Sequence, residues 1–159
     1  PSLIRTESDE LHYHFHILIR FDIEKGLMEG SIDVKDLKEI WNEKYKEYLG
    51  IEVPDDNQGI LQDIHWSHGN FGYFPTYSLG SFYAAQFFHQ AKIDIPKLHQ
   101  QIENGDTSQL LQWLRSNIHQ YGQLYTAKEL CTRITGEPLN FKYFMAYVRE
   151  KYQAIYMNK

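Results

Sequence analysis

The sequence predicts a mostly α-helical fold, and three features carry that prediction. Apolar residues recur three or four positions apart through most of the chain, which is the period of one helix face. A glycine or a capping residue stands where these periodic stretches begin or end. Aromatic residues make up 15% of the 159 residues, which favours a packed core over a disordered segment. We therefore expect one ordinary helical domain.

Two long helices are predicted in the first fifty residues. The first covers 4–29, with apolar residues at helical spacing, and ends at Gly30. The second starts after a capping side chain, Ser31 or Asp33, and continues to Leu49.

Residues 51–76 break the helical pattern. They contain three glycines and two prolines, so we predict a long irregular segment that leaves room for a short strand around Ile60 to Ile64. Long ordered loops are often functional. The richest polar and aromatic cluster of the chain falls in and just after this segment: Gln62, Asp63, His65, Trp66, His68, Tyr73 and Tyr77.

Helical patterns resume after Tyr77. The stretch 79–92 is apolar nearly all round, which predicts a buried helix. Thr126 and Glu129 form the spacing of a capping box, which predicts a helix start. The predicted helices after Tyr77 are 79–92, 96–105, 108–121, 126–136 and 141–156.

Composition excludes several classes of protein. The net charge is −5 with the two signs interspersed, so nothing predicts binding to nucleic acid or to a membrane surface. No apolar run reaches transmembrane length.

Cys131 is the single cysteine, which rules out a disulfide within the chain and favours a reducing, cytoplasmic setting. The chain begins with Pro1 instead of Met, which we interpret as a fragment or a processed product.

A run of histidines invites a metal hypothesis. His12 and His16 would share a helix face at the i, i+4 spacing that zinc sites use. However, no HExxH motif and no obvious acidic third ligand accompany them. We therefore favour packed or exposed histidines, and keep a small metal-binding domain as an alternative.

Two further groups could carry chemistry. Asp63 and His65 are two residues apart and would share a face in an extended segment, where the acid would fix the imidazole tautomer. A structural turn is the alternative.

Tyr73 and Tyr77 are neutral donors at pH 7 that could stabilise an oxyanion, or they could be ordinary core aromatics. Arg5 could equally form a surface ion pair.

Two of these stretches resemble motifs of the Taq-type thermostable carboxypeptidases. Residues 4–9, Ile-Arg-Thr-Glu-Ser-Asp, resemble I-R/A-x-x-A-D, with Ser8 in place of the usual alanine. Residues 59–66, Gly-Ile-Leu-Gln-Asp-Ile-His-Trp, match G-x-x-Q-D-x-H-W in full. The resemblance extends over essentially the whole chain.

This resemblance implies a largely helical body with a deep groove, and removal of single residues from peptide C-termini. The family holds zinc with HExxH and a downstream glutamate, and these motifs precede the part that resembles this chain. The resemblance thus implies that 1–159 is the C-terminal helical portion of a metallocarboxypeptidase whose zinc-binding half is absent. The full-length enzyme would hold Zn²⁺ or another divalent ion and form a homodimer, whereas this fragment would hold no metal and be inactive.

The resemblance also assigns roles to five residues. Arg5 would recognise the terminal carboxylate of the peptide, because a guanidinium matches a carboxylate bidentately. His65 would hydrogen-bond the substrate carbonyl or tetrahedral intermediate, with Asp63 orienting its ring. Tyr77 would donate to the oxyanion, and Tyr73 would contact a carboxylate or a subsite.

A stand-alone helical interaction module is the alternative to half of an enzyme. In that case the aromatic loop would be a partner-binding surface without catalysis.

Overall fold

A computed structural model describes residues 1–157, and helices dominate this range. No strand occurs in it, so the short strand allowed around Ile60 to Ile64 is wrong; these residues lie in turns. The α-helices are α1 (His12–Glu29), α2 (Leu37–Leu49), α3 (Pro75–Asp94), α4 (Leu98–Glu103), α5 (Ser108–Asn117), α6 (Ala127–Thr135) and α7 (Lys142–Tyr156). Short 3₁₀ helices are Arg5–Glu7, Val34–Asp36, Trp66–His68 and His119–Tyr121.

The chain divides into two compact units. The first is Pro1–Ser78 and the second begins at Leu79, so the boundary falls within α3. None of the helices in residues 1–157 is both long and apolar enough to cross a membrane.

The first unit is built on the packing of α1 against α2. Trp41 and Tyr45 are stacked with their ring centroids 5.1 Å apart, and neither is more than 1% exposed. The buried apolar cluster around them is Ile19, Ile23, Trp41, Tyr45 and Leu49.

Helix α1 begins later than its apolar pattern predicts. The expected start at residue 4 is wrong, because Asp9 Oδ1 accepts the backbone N–H groups of Leu11 (3.0 Å) and His12 (3.1 Å) and so satisfies donors at the start of the helix. The end is as predicted: Gly30 takes a left-handed conformation with φ 72° that favours glycine. Asp33 accepts the Lys35 N–H and caps the 3₁₀ turn before α2.

The second unit has its own core, formed by Ala91, Leu98 and Trp113. The apolar pattern predicts a buried helix over 79–92, but within α3 only Gln86 and Ala91 are fully buried. Leu79 and Ile93 are 42% and 59% exposed. The prediction of a buried helix therefore holds only in part, because the described neighbours cover only part of the helix.

The start of α6 confirms the predicted capping box. Glu129 N–H donates to Thr126 Oγ1, and the Glu129 carboxylate accepts from the Thr126 N–H in return. Gly136 ends the helix with φ 81°.

Candidate active site

All five residues predicted to bind or act on substrate lie in the first unit. Arg5 is in the N-terminal 3₁₀ turn, Asp63 and His65 are in the irregular segment, and Tyr77 is in the first turn of α3. Tyr73 lies just before that helix. Residues separated by up to 72 positions along the chain can therefore contribute to one site.

The irregular segment is fixed to α1 by a buried carboxylate. Glu24 is 3% exposed, and its two oxygens accept hydrogen bonds from the Trp66 indole N–H (2.8 Å) and the Gly72 backbone N–H (3.2 Å). A buried carboxylate binds two donors strongly, because breaking either hydrogen bond would leave a buried polar group without a partner and would cost free energy.

The same segment is fixed to α2 and to the N-terminus by Gln62. Its Nε2 donates to Tyr45 Oη (3.1 Å) and to the Leu3 carbonyl (3.2 Å). Its Oε1 accepts from the Arg5 backbone N–H at 2.9 Å. The loop is thus positioned by partly buried hydrogen bonds although it has little regular secondary structure.

His65 and Tyr77 meet directly. His65 Nε2 and Tyr77 Oη are 2.9 Å apart, and the imidazole lies 4.3 Å from the Phe74 ring. Burial lowers the pKa of His65, and although Asp63 opposes the shift, the neutral imidazole is favoured near pH 7. Burial raises the pKa of Tyr77, against the effect of the Arg5 charge, so the phenol keeps its proton. The contact places two groups that can each donate a hydrogen bond next to one another.

Asp63 is shared between two arginines. Its Oδ1 accepts from Arg5 Nε (3.1 Å) and Nη2 (2.7 Å), and its Oδ2 accepts from Arg20 Nε (2.7 Å) and Nη2 (2.6 Å). Burial raises the pKa of Asp63, but the Arg5 hydrogen bond and the Arg20 charge outweigh it, so the pKa lies below its usual value. Burial lowers the pKa of Arg5, and Asp63 outweighs that effect too. Both groups are firmly charged.

The expected contact between Asp63 and His65 is not a hydrogen bond in this structure. The nearest atoms, Asp63 Oδ1 and His65 Nδ1, are 3.9 Å apart, which is beyond hydrogen-bonding range. Nδ1 is buried and has no hydrogen-bond partner within residues 1–157. Asp63 was expected to share a face with His65 in an extended segment, but the backbone turns here and directs the carboxylate to the arginines.

Arg5 is enclosed by aromatic rings and is 7% exposed. The centre of its guanidinium lies 5.2 Å from the Tyr77 ring and 5.9 Å from the Tyr13 ring. Its Nη1 donates to Tyr13 Oη over 3.3 Å, a longer bond than those to Asp63. Arg5 is therefore a cation beside the His65–Tyr77 pair, and its Nη1 is hydrogen-bonded to the Tyr13 phenol.

Tyr73 is the most exposed of the predicted residues, at 49%. Its ring lies 5.4 Å from that of Tyr77 and 5.8 Å from that of His65. It forms the solvent-facing side of the cluster.

Sequence reasoning missed three residues that shape this site: Tyr13, Arg20 and Glu24. A signal for two of them was present. Arg20 and Glu24 each directly follow an apolar residue of the buried face of α1, Ile19 and Ile23, and stand one helical turn apart. Charged groups on the buried side of a helix need partners, which is unusual enough to mark them.

The residues described do not fit a metal site. Within 1–157, no group of three or more His, Cys, Asp or Glu side chains could hold an ion. His12 Nδ1 lies 2.6 Å from the exposed Asp9 carboxylate, whereas His16 is completely buried with its Nδ1 3.0 Å from Tyr45 Oη. The two imidazoles have separate partners, so within residues 1–157 the hypothesis of a metal-binding His12–His16 pair has no structural support. Cys131 is a buried free thiol whose pKa is raised by burial.

The helical fold is that of a metallopeptidase family. The sequence model of the carboxypeptidase Taq (M32) metallopeptidase family matches residues 1–152. The chain belongs to that family.

Three relatives illustrate the match. The chain is 44% identical over 156 residues to thermostable carboxypeptidase 1 of Thermus thermophilus, covering 98% of this chain and 31% of the relative. The solved structure of CHT has 62% identity and a TM-score of 0.93, covering 95% of this chain and 31% of that one. The M32 carboxypeptidase of Deinococcus radiodurans R1 has 38% identity and a TM-score of 0.94, covering 98% and 31%. The chain thus spans about a third of the length of these relatives.

Proposed function

We propose that this chain is the C-terminal portion of a metallocarboxypeptidase and supplies the groups that bind the end of a peptide and stabilise its reacting carbonyl. Family membership supports the reaction class. The contact between His65 Nε2 and Tyr77 Oη at 2.9 Å carries the assignment of this site. Two neutral donors that converge on one point are suited to an oxygen that gains negative charge.

His65 and Tyr77 act as donors in this proposal. A neutral imidazole with its proton on Nε2 donates toward the carbonyl oxygen of the scissile bond. The Tyr77 hydroxyl turns its own proton to the same oxygen, since hydroxyl protons rotate to suit their acceptor. The Phe74 ring at 4.3 Å holds the plane of the imidazole.

Arg5 provides the end-stop for the peptide carboxylate. Its fixed charge lies beside the donor pair, and the long bond from Nη1 to Tyr13 at 3.3 Å is one that a carboxylate can replace with a shorter, charge-assisted bond. Tyr73, half exposed next to both donors, forms the wall of a subsite. Asp63 holds Arg5 in place.

Residues outside this chain hold the divalent ion in the proposed full-length enzyme, because those described here do not fit one. The 159-residue chain alone is therefore expected to release no amino acid from a peptide with a free C-terminus, even with added Zn²⁺. Peptide hydrolysis by the purified chain, unaffected by Tyr77→Phe, would contradict the proposal.

The decisive test uses the full-length protein that contains this chain. Tyr77→Phe and His65→Ala should each lower kcat about a hundredfold or more, as the loss of one oxyanion donor does. Tyr48→Phe is the matched control, because it removes a phenol that hydrogen-bonds the Asp22 carboxylate elsewhere in the same unit; its kcat should be that of the wild type. Wild-type kcat in Tyr77→Phe would remove that residue from the mechanism.

The alternative of a non-catalytic interaction module has one observation in its favour. Phe15, Leu18 and Phe21 on α1 are 42%, 40% and 42% exposed, and an exposed apolar row can bind a partner. The variants above separate the two functions, because a binding module would show no selective loss of turnover in Tyr77→Phe.

A further inference from the structure

Arg20 is the least accessible charge of the site. Its side chain is completely buried, and its guanidinium lies 4.6 Å from the Trp41 ring and 5.3 Å from the Phe74 ring. Besides Asp63, it donates to the His16 carbonyl at 2.8 Å and to Tyr45 Oη at 3.4 Å. Arg20 therefore cannot touch a substrate, so any part it plays must pass through Asp63.

The arrangement sets the charge of the cluster. Each oxygen of Asp63 is taken by one guanidinium, so two cations share a single anion. Glu24, the other buried carboxylate nearby, is engaged by Trp66 and Gly72 and forms no ion pair with either arginine within residues 1–157. The three groups in direct contact thus carry one excess positive charge.

That excess matters for an incoming anion. A lone Arg5–Asp63 pair would be neutral, and the repulsion between Asp63 and a nearby substrate carboxylate would weaken the attraction that Arg5 exerts on that carboxylate. When Arg20 is bound to Oδ2 of Asp63, its positive charge on the buried side offsets the repulsion between Asp63 and the substrate carboxylate.

We propose that Arg20 is a positioning residue that occupies Oδ2 of Asp63 and keeps the Arg5–Asp63–Arg20 cluster cationic, so that Arg5 can still recognise a carboxylate while paired with Asp63. This inference rests on the proposed role of Arg5. It assigns a function in peptide recognition to a residue that no substrate can reach.

The test is an NMR titration of the 159-residue chain with N-acetyl-L-alanine and with N-acetyl-L-alaninamide, followed at the Arg5 side-chain Nε–H. The wild type should bind the acid more tightly than the amide, and Arg5→Ala should abolish that preference. Arg20→Met should weaken acid binding about tenfold, the effect of removing one nearby partly buried charge, and leave amide binding unchanged. Arg20→Lys, which keeps the charge, should retain most of the preference.

The double variant Arg20→Met/Asp63→Asn separates charge from structure. It removes one cation and one anion, so Arg5 alone remains charged, and acid preference should return to within about threefold of the wild type, a difference of less than 1 kcal/mol. A purely structural role for Arg20 predicts a double variant no better than the single one, and that result would overturn the inference. An equal loss for acid and amide in Arg20→Met would overturn it too.

Other outcomes are also informative. If the wild type shows no acid preference, or Arg5→Ala keeps it, the carboxylate role of Arg5 fails and the inference with it. If Arg5→Ala loses the preference and Arg20→Met keeps it, only the inference fails. Should Arg20→Met be unfolded, Arg20→Gln takes its place, because the amide keeps a donor for Asp63 and removes the positive charge.

Discussion

The two units differ in the kind of polar group that they bury. The unit Pro1–Ser78 encloses Arg5, His16, Arg20 and Glu24, whereas the described part of the second unit buries one neutral amide, Gln86. Gln86 is fully satisfied by its surroundings: Nε2 donates to Thr135 Oγ1 at 2.9 Å and Oε1 accepts from the Asn140 N–H at 2.8 Å.

The difference indicates that buried polar groups have different roles in the two units. A buried amide ties a helix to a loop at modest cost, because no charge loses its hydration. Buried ions stabilise a fold poorly relative to apolar groups of the same size, so a cluster of them needs another reason to exist. The first unit holds its ions around the proposed substrate site, and the second uses an amide where only structure is required.

The largest expected effect is the loss of Asp63. Asp63→Asn would leave Arg5 and Arg20 buried without their counter-ion and should lower the free energy of unfolding by about 3–5 kcal/mol. Urea denaturation measures this. Asp33→Asn is the control, because asparagine caps as well as aspartate at that exposed turn. A loss below about 1 kcal/mol in Asp63→Asn would show that the two units are alike in this respect.

Acid should affect the first unit before the second. Burial, together with the Arg20 charge, lowers the pKa of His16 from 6.5 to about 4, and burial also lowers the pKa values of His14 and His65. Because the unfolded chain binds these protons more readily, stability is complete above pH 6.5 and falls as the pH drops toward 4.

In the second unit, hydrogen bonds from Lys142 and Tyr143 lower the pKa of Glu137 from 4.5 to about 2, so its contribution is lost only below pH 4.5. Residue-resolved hydrogen exchange between pH 7 and 4 should therefore show the first unit opening more readily. His16→Gln should flatten this dependence, and the exposed His99→Gln should not change it. Equal acid sensitivity of both units would contradict the comparison.

Gln86 gives the next effect. Gln86→Met should lower the free energy of unfolding by about 1–3 kcal/mol, because the Asn140 N–H and the Pro138 carbonyl lose the hydrogen bonds that they form with Gln86. Gln90→Met, one turn further along α3, removes an exposed amide bonded to Asp94 and should change stability by less than about 0.5 kcal/mol. Chemical denaturation compares the two. A loss as large as that of Asp63→Asn would remove the distinction between neutral and charged burial.

The last effects concern two glycines and should have opposite signs. A Cβ on Gly59 would lie 2.8 Å from Val53 Cγ1 and 3.0 Å from the Asp55 carbonyl, so Gly59→Ala should destabilise the loop by about 1–3 kcal/mol. A Cβ on Gly80, inside α3, would meet nothing within 4 Å. Gly80→Ala should stabilise the chain by about 0.5–1 kcal/mol through helix propensity. Thermal unfolding of both variants checks the signs.

Local signals explain what could be predicted from the sequence. The capping box at Thr126 and the helix end at Gly30 depend on residues within one turn, and both are as predicted. The late start of α1 was missed because its apolar pattern continues through residues that Asp9 caps instead.

Several contacts of the site could not be predicted from local sequence signals. The pairing of Asp63 with Arg20 joins residues 43 positions apart, and the contact of Glu24 with Trp66 joins residues 42 apart. No periodicity encodes such contacts. The proximity of His65 and Tyr77 was expected from the family resemblance, whereas the separation of Asp63 from His65 depends on a turn that the pattern did not reveal.

The sulfur of Cys131 is completely buried, within 3.6 Å of the Glu137 carbonyl. A thiol reagent can reach it only when the second unit opens, and the sequence has no other cysteine to react. The rate of labelling under native conditions would therefore time the opening of that half of the molecule, without an introduced probe and without any signal from the charged cluster around Asp63.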